Sequence, residues 1–199
     1  SVLVEASPIH KMLLDECETD STPMIVVSFD VPKYLRQKIL VGIMNEIHVS
    51  KGVLHSIENN TIYALFGTPH SSANDISQVC SASQKILDFL EMAMETFSLE
   101  RGGSFTENFL FEAGIISAKT RLWNRWTNRC TYQIYPESLE KARWITEQAN
   151  LYGTHILVDE DIAMHLPNRI MTRQVGVAVW AGGCVDITRF KHLSPFEQQ

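Results

Sequence analysis

Met24-Ile-Val-Val-Ser-Phe-Asp30 is an apolar run that closes on a carboxylate. A run of Met, Ile, Val and Phe reads as a strand buried on both faces. Polarity arrives only at Asp30, which places that carboxylate at the strand's end, where ligands bind in α/β folds. Two readings of Asp30 stand: it holds a metal, or its charge caps the helix that begins at Pro32. Residues 32–51 carry Leu35, Ile39, Leu40, Ile43, Met44 and Ile47 at three- and four-residue steps, one apolar helical stripe. Pro32 suits a first helical position and Gly52 a C-cap. Residues 53–60 and 61–67 read as two strands joined by a tight Asn59-Asn60 turn, because Asn tolerates left-handed backbone.

Outward from this stretch, residues 1–23 are acidic and broken by Ser21-Thr22-Pro23, and read as a linker or lead-in helix. A start at Ser1 suggests a piece of a longer protein. Residues 68–72 read as a loop, with Asn74 or Asp75 capping a helix over 76–99. Residues 105–119 form a strand, with Phe109, Phe111, Ala113 and Ile115 alternating against Asn108, Leu110, Glu112 and Gly114. Residues 122–129 read as an aromatic-basic loop, 131–135 as a strand and 137–152 as a helix closed by Gly153. Strands over 156–158, 173–180 and 184–190 complete the chain, followed by a tail from 193. The order is β-α-β-β-α-β, then β-α-β and a terminal hairpin. It predicts an α+β fold, a ferredoxin-like core with C-terminal additions forming one mixed sheet covered by helices.

The chain has 199 residues, 45% hydrophobic and 20% charged, enough for one domain, here residues 24–192, with a sizeable core. A net charge of −6 argues against nucleic-acid binding through a basic face. No apolar run approaches the ~20 residues of a membrane span, so no membrane contact by this segment is expected. Cys17, Cys80, Cys130 and Cys184 are scattered, without zinc-ligand spacing, and fit a reducing, intracellular and cytoplasmic setting; the segment is also compatible with the cytosolic part of a larger protein. The seven histidines show no ligand spacing, and no phosphate-cradling glycine loop or nucleophile elbow is present.

Five segments in collinear order resemble the class III adenylate and guanylate cyclase catalytic domain. They are Val26-Val-Ser-Phe-Asp-Val, Ala64-Leu-Phe-Gly67, Tyr132-Gln-Ile-Tyr-Pro with the following helix, Ile156-Leu-Val-Asp-Glu, and the closing hairpin from Arg173 to Thr188. The resemblance implies two metal ions held by two aspartates, a base-reading pair, and Asn and Arg groups that orient the ribose and stabilise developing charge. Asp30 falls on the first metal aspartate. The second falls on Asn60, a much weaker divalent-ion ligand than a carboxylate. Ser56 and Gln133 stand at the base-reading positions, Glu140 at the ribose asparagine and Trp144 at the catalytic arginine. Arg143 is adjacent, but one helical step turns a side chain by ~100°. Of the six positions, Asp30 alone keeps the family's residue.

The expected function is therefore a catalytically inactive cyclase-like domain, a regulatory or scaffolding module that pairs with another cyclase-like domain or another protein. It is expected to bind no cofactor, with Mg or Mn only beside a competent partner. The alternative is one half of a two-domain cyclase making cyclic AMP or cyclic GMP. The stretch Arg121-Leu-Trp-Asn-Arg-Trp-Thr-Asn-Arg129 carries the residue types that interface hot spots favour. In the resembled family this region grips the partner domain, so Arg121, Trp123, Arg125, Trp126 and Arg129 are the expected protein contacts.

Overall fold

The computed structural model describes residues 17–68, 71–100, 110–125, 129–167, 170–180 and 183–191. Eight strands and four helices occur among them: β1 Cys17–Asp30, α1 Lys33–Val49, β2 Val53–Glu58, β3 Thr61–Leu65, α2 Asp75–Glu100, β4 Leu110–Arg125, β5 Arg129–Ile134, α3 Pro136–Leu151, β6 Ile156–Asp159, α4 Glu160–Met164, β7 Met171–Trp180 and β8 Gly183–Lys191. One sheet runs in the order β2-β3-β1-β4-β6-β8-β7, with β5 pairing β4 off this path. The first four positions are the order of the expected ferredoxin-like core. β4 and β6 pair in parallel, and every other described pairing is antiparallel.

β1 is central, and its alternation divides the core. Ile25, Val27 and Phe29 face α1 and α2 together with Ile62, Ala64, Phe66, Ala113 and Ile115. Met24 and Val26 face α3 together with Tyr63, Leu65, Ile116, Ala118 and Leu157. All these residues are buried, which is why β1 reads as an uninterrupted apolar run.

The structure corrects several sequence expectations. β1 begins at Cys17, so residues 17–23 belong to the sheet rather than to a lead-in; Cys17 lies opposite Leu122, with a bulge between Thr19 and Thr22. Residues 1–16 and 192–199 lie outside the described residues. The 122–129 loop is replaced by a β-hairpin: β4 runs through to Arg125, and β5 pairs with it from Arg125–Arg129 down to Thr120–Ile134. The 105–119 strand is seen from Leu110, and residues 105–109 lie outside the described residues. Glu112 and Gly114, which alternate with Phe111, Ala113 and Ile115, are buried as well, because helices cover both sides of β4. The left-handed residue after α1 is Lys51 (φ 65), not Gly52. Gly52 donates its N–H to Ile47 O at 2.8 Å, and a Cβ there would lie 2.7 Å from the Phe66 ring. Close packing, rather than a positive φ, asks for glycine at that position.

Candidate functional site

The sheet brings the two expected metal positions together at one end of β1. Phe29 N donates to Asn60 O at 3.1 Å, so Asn60 sits beside the residue preceding Asp30. Asn59 takes the left-handed conformation (φ 55) that the tight turn requires. Asp30 is exposed and does not cap α1, whose N-cap is Pro32 with no side-chain cap bond. The Asn60 side-chain oxygen instead accepts from Arg36 of α1, a residue the sequence did not single out.

Ser56 of β2 lies opposite Tyr63 of β3, and Tyr63 lies opposite Val26, so Ser56 is on the sheet face that α3 covers. Across this face Arg143 of α3 donates from Nε to the Tyr63 hydroxyl at 2.8 Å and from a terminal nitrogen to Glu58 at 2.9 Å. Its guanidinium carbon lies 5.7 Å from the Tyr63 ring centroid. Arg143 therefore straps α3 to the β2–β3 hairpin. Trp144, one residue on, is partly buried against the α3-side core. Gln133 and Glu140 are exposed, and no hydrogen bond or ion pair among the described residues joins them to Asp30, Asn60 or Ser56. The structure thus gathers Asp30 with Asn60 and Ser56 with Tyr63, and leaves Gln133 and Glu140 apart.

α3 is anchored by a buried ion pair that sequence reading also missed. Asp159, fully buried at the end of β6, accepts from Lys141 Nζ at 2.6 Å, from Ser117 N at 3.1 Å and from Ile162 N at 3.0 Å, the last capping α4. Burial pushes its carboxyl above the usual carboxylate range, and Lys141 and the two backbone donors pull the other way. Glu112, buried on β4, is likewise raised by burial and by the nearby Glu147.

Arg121 is partly buried on β4 opposite Gln133, and the backbones of Trp123, Arg125 and Arg129 lie in the β4–β5 hairpin. Trp126, and the side chains of Trp123, Arg125 and Arg129, lie outside the described residues. No described helix is long and apolar enough to cross a membrane.

The donor set does not fit two divalent ions. Asp30 supplies one carboxylate, Asn60 is neutral with its oxygen engaged by Arg36, and no group of three or more His, Cys, Asp or Glu among the described residues could hold a metal ion.

No protein-family model matches the chain, and no curated protein matches it significantly. Solved structures do. The adenylyl cyclase CyaB from P. aeruginosa superposes with a TM-score of 0.74 at 13% identity, over 92% of this chain and 98% of that one. The guanylyl cyclase Cya2 gives 0.67 at 14% identity, over 90% and 95%. A non-canonical dimeric guanylyl cyclase domain of the RhoGC fusion protein from the aquatic fungus Blastocladiella emersonii gives 0.64 at 11% identity, over 88% and 99%. The likeness covers nearly the whole of each of these structures and about nine-tenths of this chain, and the chain has the fold of the adenylyl and guanylyl cyclase domains.

Proposed function

We propose that this domain makes no cyclic nucleotide and acts by pairing, as a regulatory or scaffolding module, with another cyclase-like domain or another protein of a cytoplasmic signalling system. The observation that carries the reading is the state of the hairpin beside β1. Where the family's chemistry needs a second carboxylate, Asn60 offers one neutral oxygen, and that oxygen is bonded to Arg36. The position of the charge-stabilising arginine carries Trp144, packed against the core, and Arg143 is turned toward Glu58 and Tyr63. Catalytic groups of this kind act as a unit, so their loss leaves no proportionate remnant.

Pairing is supported by the fold's likeness to a dimeric guanylyl cyclase domain and by the Arg- and Trp-rich β4–β5 hairpin. Burying each tryptophan removes ~150–250 Å² from water. The expected result for the purified domain is no cyclic AMP from ATP and no cyclic GMP from GTP with magnesium or manganese, together with a solution mass above that of one chain. Trp123→Ala with Trp126→Ala lowers that mass while circular dichroism stays unchanged. Metal-dependent turnover abolished by Asp30→Ala would sink the inactive reading. A double variant that keeps its mass and loses thermal stability would return the tryptophans to the domain's own core. If the domain is a monomer alone, pull-down of a second cyclase-like domain, with the double variant as control, decides whether pairing is heterologous.

The exposed Asp30 favours a second reading, in which the domain lends this carboxylate to a complementary partner. It predicts turnover only in a mixture with that partner, lost on Asp30→Asn.

A further inference from the structure

We infer that Arg36 is a resident cation in the metal position of this fold, closing the Asp30–Asn60 end of β1 to divalent ions. The inference rests on the cyclase-like reading above and deepens it: the site is shut by an arginine as well as short of a carboxylate. Only Val31 and Pro32 separate β1 from α1, so α1 returns at once over the strand end and Arg36, the fourth residue of the helix, meets the β2–β3 turn. There its guanidinium donates to the Asn60 side-chain oxygen, while the Asn60 backbone is held by Phe29 N. The turn is pinned from the other side of the sheet as well, by Arg143 on Glu58.

Charge and ligand count both follow from this contact. A divalent ion at this end would take oxygen ligands from Asp30 and Asn60. One of these oxygens already accepts from a permanently charged group. A unit positive charge about 4 Å from a divalent ion weakens its binding by roughly thirty-fold even at the dielectric constant of water. Restoring the carboxylate by Asn60→Asp does not by itself reopen the site, because arginine and carboxylate form a strong, often bidentate pair. Reopening takes two changes, one that restores the carboxylate and one that removes the cation.

Manganese binding to the whole chain tests this directly, read as loss of the free-ion paramagnetic resonance signal, with circular dichroism as the check on folding. The unaltered chain and Asn60→Asp are expected to bind weakly. Asn60→Asp with Arg36→Ala is expected to bind roughly thirty-fold tighter than Asn60→Asp alone. Asn60→Asp with Arg36→Lys, which keeps a cation, stays close to Asn60→Asp. Arg36→Gln replaces Arg36→Ala if the latter perturbs the fold. The inference is overturned if Asn60→Asp alone binds as tightly as the double variant, or if removing the cation leaves binding weak. Turnover by the unaltered chain is measured separately and bears on the inactive reading, whereas the comparison among Arg36 variants reads the resident cation.

Discussion

Lys141→Met is expected to destabilise the domain by about 3–5 kcal/mol near neutral pH, because it leaves a buried carboxylate without its cation. Asp159 is wholly buried and Lys141 is 19% exposed, so water does not take over the lost contact. At this chain length the loss corresponds to a fall in Tm of roughly 6–20 °C. The pH dependence has a definite sign. Burial raises the Asp159 carboxyl above its unfolded value. The stability contributed by its proton is therefore present below the ordinary carboxylate range and lost as pH rises through the raised one. Removing Lys141 removes the largest opposing influence and raises the carboxyl further. The penalty should therefore be greatest above the raised range of the Asp159 carboxyl and shrink as pH falls through it, where the carboxyl takes up a proton. Adding Asp159→Asn should recover about half of the loss, since the charge goes and one acceptor stays for Ser117 N or Ile162 N. Urea unfolding followed by circular dichroism at several pH values measures all three. A penalty below about 1 kcal/mol, or one that grows on acidification, would contradict a buried pair.

Gly114→Val should cost about 3 kcal/mol, at the upper end of overpacking effects. A Cβ at Gly114 would stand 2.6 Å from Thr146 Oγ1 and 3.1 Å from both Ala142 O and Thr146 N. Two of these atoms are helix backbone, and Thr146 Oγ1 is fixed by its 2.8 Å bond to Ala142 O. The clash is relieved only if α3 lifts from β4. α3 carries Glu140, Arg143 and Trp144, so the strap to Glu58 and Tyr63 loosens with it. Gly114→Ala is milder, and in its background Thr146→Ala should give back about 1 kcal/mol of coupling, as expected of neighbours that share one space. A Gly114→Val chain as stable as the unaltered one would mean that α3 does not approach the sheet this closely.

Much of the fold is written in local pattern. The buried run at β1, the α1 stripe and the Asn59-Asn60 turn each depend on neighbours within a few positions, and each reads correctly. The misreadings share a cause. Residues 17–22 are polar and look like a linker, and only their register with β4 makes them a strand. The stretch from Leu122 to Arg129 has the composition of a loop, and the pairing of Arg125 with Arg129 supplies what composition hides. The site follows the same rule. Arg36 meets Asn60 across 24 positions, Lys141 meets Asp159 across 18, and Arg143 meets Glu58 across 85. No helical or strand period spans such distances, so these contacts are decided by which segments the sheet places side by side. The positions that the resemblance picks out, by contrast, are single-residue identities, read at once as Ser56, Asn60, Gln133, Glu140 and Trp144.

The β1–β4 ladder also sets a clock on biosynthesis. Thr22 and Thr120, whose hydroxyls meet at 2.7 Å in its buried middle, are 98 positions apart. At the usual ~5–20 residues per second, the polar half of β1 waits ~5–20 s on the ribosome for β4, the strand it pairs with. Until then the β2–β3 hairpin, with Phe66 after it, can pair only with residues 23–29, and the other edge of β1, apolar from Met24 to Val27, stays open. A chain released before β4 emerges carries that open edge with it, a substrate for chaperones or for wrong pairing.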